Sequence, residues 1–182
     1  MIQSRSLVPI LLAAACWGCA YAPSGKDQAS LPLPTHHISV QLGTRGAKAD
    51  NSSSFDSGAL VGGEYCHFLR DDLGIEAGIS RSKHHEFFSF GLSEDLTVVE
   101  LYGGGQYAFS RGTVSPYVGA GLSLLFLDGR DADDGAGIYG HTGLKVKLSR
   151  RLSMGVDVRG LVGTPDELAR YIQLVLTLGW SF

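Results

Sequence analysis

Six histidines and a run of aspartates are the residues of this chain whose types could do chemistry. The histidines are His36-His37, His67, His84-His85 and His141. His84-His85-Glu86 falls in "KHHEFFSFGLSED", which is rich in metal-ligand types. Adjacent histidines on an extended chain point to opposite sides, so they do not readily share one ion, and the stretch is expected to be a solvated loop. "DGRDADDG" carries Asp128, Asp131, Asp133 and Asp134. A calcium loop of the EF-hand kind also needs a central glycine and a closing glutamate, which are missing, so an acidic solvated loop is expected. "YGGGQY" at 102–107 looks like a phosphate cradle but precedes no helix and has no lysine. No catalytic residue, metal site or cofactor is therefore expected.

The elements that must carry these residues begin after a leader. The chain has 182 residues with 25 glycines, 18% charged residues and a formal charge of -3, which suits one domain and gives no footprint for nucleic acid. Residues 1–15 hold one cation, Arg5, then an apolar run and small residues, the order of a secretory signal peptide. "LAAAC" resembles the lipobox of bacterial lipoproteins, in which Cys16 becomes the acylated first residue. Lipoprotein cleavage before Cys19, and ordinary cleavage after Ala15 or Ala20, are the alternatives; Cys16 is preferred to Cys19 because alanine suits the third residue before the cut better than cysteine does. Residues 16–35 contain three of the six prolines and read as a flexible tether. Within residues 36–182 Cys66 is the only cysteine, which leaves no disulfide framework unless Cys19 stays unmodified and reaches it.

Residues 36–182 break into eight segments of strand composition: 37–45, 57–69, 73–82, 96–109, 115–127, 136–148, 152–162 and 170–182. Longer connections ("GAKADNSSSFD", "KHHEFFSFGLSED", "DGRDADDG", "GTPDELA") alternate with short ones ("RDD", "SRGTV", "SRR"). An even number of strands joined in this way is an up-and-down meander, and pairing its first and last strands removes both edges. The expected fold is an all-β, eight-stranded antiparallel barrel, whose interior side chains can fill.

Alternation sorts the faces without saying which is inside, because soluble and membrane barrels share the same period. Leu73, Ile75, Ala77 and Ile79 oppose Glu76, Gly78 and Ser80; Ile38, Val40 and Leu42 oppose Ser39, Gln41 and Gly43. The polar faces carry Gly, Ser and single charges of both signs, Glu64, Glu76, Glu100, Lys145, Lys147, Asp157 and Arg159, which suits a packed, charge-paired lumen. Tyr65, Phe109, Tyr117, Tyr171, Trp180 and Phe182 lie near strand ends, as an interfacial girdle would. A soluble lipocalin-like carrier is the rival, though the first strand lacks the expected Gly-x-Trp.

"YGGGQYAF", "SPYVGAGLSL" and the terminal "LGWSF" resemble the outer-membrane β-barrel domain of the OmpA/OmpX and opacity-protein type. The resemblance implies residence in the outer membrane, contact with its lipid, and insertion by the outer-membrane assembly machinery reading an aromatic-ended last strand, here Trp180 and Phe182. Some barrels of this size are lipid A-modifying enzymes; "HTG" at 141–143 and "HEF" at 85–87 lack the serine of their His-x-Ser pair. The expected role is a scaffold with a plugged lumen, no enzymatic activity and four outward loops that meet an unknown extracellular ligand.

Overall fold

The structure, a computed structural model, describes residues 35–48, 55–87, 93–110, 112–128, 134–164 and 170–182. The proposed signal peptide, most of the tether, and Cys16 and Cys19 lie outside the described residues. Eight antiparallel strands form one closed barrel: β1 (His36–Lys48), β2 (Phe55–Phe68), β3 (Leu73–Phe87), β4 (Ser93–Ala108), β5 (Val114–Asp128), β6 (Gly135–Lys147), β7 (Leu152–Thr164) and β8 (Arg170–Ser181). Closure is made by β1 and β8 in a register running from His37 opposite Ser181 to Ala47 opposite Tyr171. His36 and Phe182 exchange backbone hydrogen bonds of 3.1 and 3.0 Å beyond the last pair. No sheet edge is left for another chain to pair with.

The outer face is apolar. Ile38, Val40 and Leu42 of β1 and Ile172, Leu174, Leu176, Leu178 and Trp180 of β8 are exposed, while Ser39, Gln41, Gln173 and Val175 between them are buried. Each strand has 12 to 16 residues, against the roughly 9–11 that a tilted strand needs to cross hydrocarbon. This is the reverse of a water-soluble carrier, whose apolar residues would line the cavity. The short connections 69–72, 109–113 and 148–151 lie at one end of the barrel and the longer ones at the other; in bacterial membrane barrels the short-turn end is the periplasmic one.

Two expectations need correction. Residues 83–87 pair with 93–97, His84 opposite Leu96 and Phe87 opposite Ser93, so β3 and β4 run on where a loop was expected. His84 is thereby 3% exposed and faces the lumen. The girdle also loses two members, because Tyr117 and Tyr171 have inward parity and are buried. Tyr65, Phe109, Trp180 and Phe182 do lie exposed on the outside, joined by Tyr107, whose ring meets Phe109 edge-on at 5.3 Å.

The interior is layered along its axis. At the loop end Leu96, Val98, Leu125, Leu161 and Tyr171 pack into an apolar cap, to which Tyr102 and Tyr139 also belong. The buried polar His84 and Ser82 stand opposite Leu96 and Val98 at the same height, and Tyr102 and Tyr139 reach down among polar and charged inward side chains.

Candidate functional site

The register sets the heights of the inward groups. Ser80 stands opposite Glu100, Gly78 opposite Tyr102, and Glu76 opposite Gly104, so successive inward pairs of β3 and β4 descend from loops to turns. Three clusters follow that order.

Glu100, fully buried, anchors the first. It accepts from Arg45 Nη2 at 2.5 Å, Ser123 Oγ at 2.7 Å, Ser80 Oγ at 3.1 Å, Gln173 Nε2 at 3.3 Å and the Tyr171 hydroxyl. Arg45 also donates to Ser80 and Ser82 and lies 4.5 Å from the centre of the Tyr171 ring. In the second cluster Arg159 donates to Glu64 at 3.3 Å and is flanked by the rings of Tyr102 at 3.7 Å and Tyr139 at 4.6 Å. Glu64 accepts further from Tyr102 and Gln41. The third is centred on His141, whose Nδ1 lies 2.8 Å from Asp157 and Nε2 3.0 Å from Glu76; Tyr139 donates to the same Glu76 oxygen at 2.7 Å.

The tyrosines reach these positions because glycines face them. A Cβ on Gly78 would stand 2.3 Å from the Tyr102 ring, and one on Gly104 would stand 2.5 Å from the Tyr139 hydroxyl. Of the glycines of "YGGGQY", Gly104 therefore serves close approach inside a narrow barrel, whereas a Cβ on Gly103 or Gly105 would meet no atom nearer than 3.5 Å.

All seven charges expected in the lumen have inward parity. Glu64, Glu76, Glu100, Asp157 and Arg159 enter the three clusters. Lys145 and Lys147 instead line a small cavity at the turn end with His37, Phe68, Gln106, Ser115 and Ser181. Its volume, about 40 Å³, holds two or three waters at most. Among the described inward side chains four carboxylates, Glu64, Glu76, Glu100 and Asp157, meet four permanent cations, Arg45, Lys145, Lys147 and Arg159. Matched charge lets so many ions share a low-dielectric interior.

Sequence reasoning missed Arg45 and the tyrosines as lumen members, and placed His141 on the polar face with Gly143, Lys145 and Lys147 without counting it in the charge network. Arg45 shares the parity of Ser39 and Gln41, so counting onward by twos would have found it. Ser82 and His84 are 3.0 Å apart, a hydroxyl on an imidazole. Both are buried and Arg45 occupies the same hydroxyl oxygen, so no membrane lipid reaches the pair. Of the aspartate run, Asp131 and Asp133 lie outside the described residues, while Asp134 accepts from the Leu127 amide at 3.2 Å and closes its own loop.

Solved structures of similar fold include Neisserial surface protein A, at 17% identity and a TM-score of 0.65, with 81% of this chain and 97% of that one covered. Ail, the attachment invasion locus protein of Yersinia pestis, matches at 14% identity and a TM-score of 0.59, over 83% of this chain and all of that one. OprG from Pseudomonas aeruginosa follows at 13% and 0.57, over 82% and 97%. No curated protein sequence matches the chain. The model of the outer membrane protein beta-barrel domain matches residues 10–182. A closed eight-stranded barrel with an apolar outside, a charged inside and that match belongs to the outer membrane protein beta-barrel domain family and resides in the outer membrane.

Proposed function

We propose that the protein is a closed membrane scaffold whose work is done by its extracellular loops and not by conduction or catalysis. The observation that supports this reading is the fully buried Arg45–Glu100 pair, packed beside the apolar cluster of Leu96, Val98 and Leu125 and above the Arg159 and His141 clusters. An eight-stranded barrel has little room beyond its own side chains. Purified protein in planar bilayers should give no steady single-channel conductance, and a stable conducting state would overturn the plug.

Loops on a rigid barrel are a natural place for binding. The four extracellular connections hold six acids, Asp50, Asp131, Asp133, Asp134, Asp166 and Glu167, against one base, Arg130. Ail of Yersinia pestis has been crystallised with the heparin analogue sucrose octasulfate. The loops of this chain have the opposite charge preference, and a neutral or cationic partner suits them. For the leader, signal cleavage after residue 15 with acylation of Cys16 remains the reading. Cys16→Ser should abolish incorporation of labelled palmitate and Cys19→Ser should not; the reverse result moves the site to Cys19.

A further inference from the structure

Two periplasmic turns are built alike but charged differently. In the β2–β3 turn the amides of Leu69 and Arg70 donate to Leu73 O at 2.9 and 3.2 Å. In the β6–β7 turn those of Leu148 and Ser149 donate to Leu152 O at 2.9 and 3.1 Å. The first turn reads Leu-Arg-Asp-Asp-Leu and the second Leu-Ser-Arg-Arg-Leu. One backbone thus accepts either Arg-Asp-Asp or Ser-Arg-Arg, so turn geometry does not demand the paired cations Arg150 and Arg151. The second turn is held further by Ser149 Oγ, which accepts from the amides of Arg151 and Leu152.

The surroundings of the arginine pair place it at the edge of the lipid. Arg150 and Arg151 are exposed, and Leu148 and Trp180 beside them are exposed on the outer face. The Arg151 guanidinium lies 5.9 Å from the centre of the Trp180 ring, and Trp180 stands opposite Leu152 in the register. Tryptophan marks the boundary between acyl chains and headgroups. Among the described residues neither guanidinium is ion-paired with a carboxylate, whereas Arg70 on the sister turn has Asp71 and Asp72 next to it in sequence. Guanidinium groups match phosphate geometry.

We propose that Arg150, Arg151 and Trp180 form a binding site for an anionic phospholipid of the periplasmic leaflet, with the phosphate on the arginines and the acyl chains along Leu148 and Trp180. Two cations without a turn carboxylate select a headgroup of net negative charge over a zwitterionic one. Each basic residue near such a surface contributes a preference of roughly five-fold. This assignment is independent of whether the lumen is plugged.

Trp180 itself can report the lipid. With Trp17→Phe it is the only tryptophan of the full-length chain. The protein is reconstituted in phosphatidylethanolamine bilayers holding equal mole fractions of either brominated phosphatidylglycerol or brominated phosphatidylethanolamine. Brominated phosphatidylglycerol should quench Trp180 more strongly; Arg150→Gln with Arg151→Gln should equalise the two lipids, and Arg70→Gln should leave the difference intact. Heat-dependent gel mobility verifies that each variant is folded. Equal quenching in the parent protein overturns the proposal whatever the variants do, as does a difference that survives in the folded double variant. Equal quenching together with arginine-dependent pelleting on purified peptidoglycan would assign the pair to that polymer instead.

Discussion

Arg45 is held by more polar partners than any other described cation, namely Ser80, Ser82, Glu100 and Gln173. Removing it strands Glu100 as a buried charge, and breaking such a pair typically costs about 3–5 kcal/mol. Arg45→Ala should therefore destabilise the barrel by about that amount in a urea titration. The double variant with Glu100→Ala should lose less than the two single losses added together, because removing both partners strands neither. Gly104 makes a different point at the same scale. A side chain there would take the place of the Tyr139 hydroxyl, which bonds Glu76 in the His141 cluster. Gly104→Val should sharply reduce the refolded yield, read as the heat-modifiable fraction on a gel. Arg45 was legible in parity and overlooked, whereas nothing local to Gly104 shows that a tyrosine two strands away needs its space.

Among the elements, β8 is the one whose alternation reads most cleanly and whose role is most exposed to test. Its outward parity from Ile172 to Trp180 faces lipid and its inward parity is buried, as alternation requires. Its end is fastened to β1: Phe182 stacks on His36 at 5.4 Å, and His36 Nδ1 lies 2.7 Å from the Tyr65 hydroxyl. Those contacts are few beside the whole β1–β8 ladder. Deleting Phe182 should therefore reduce the fraction of protein inserted in cells, while the urea midpoint of barrels that do form moves little. A large midpoint shift with normal insertion would make Phe182 a structural staple and not an assembly signal. The β3–β4 hairpin was less legible. "KHHEF" has neither alternating hydrophobicity nor β-branched residues, so its strand state comes from cross-strand pairing with "SEDLT".

At the scale of the whole molecule, charge is sorted along the axis. The loop end is acidic, the lumen is balanced, and the β6–β7 turn is basic. Sucrose octasulfate, which Ail has been crystallised with, should give no binding heat with this protein in calorimetry at moderate ionic strength. A saturable isotherm would show that loop structure outweighs loop charge.

The amino-acid sequence by itself determined the number of strands, their order, the long and short alternation of connections, and which side chains share a face. Each follows from a period of two and from turn composition, which are local properties. What faces inward, what touches what, and at which height were decided only by closure. Arg45 and Glu100 are 55 residues apart, and Glu64 and Arg159 are 95 apart. Their pairing depends on how the strands are tilted and staggered around a ring. The same holds for Tyr117 and Tyr171, which sit near strand ends yet turn into the lumen, because a barrel this narrow fills its interior with whatever inward side chains the register brings to one level.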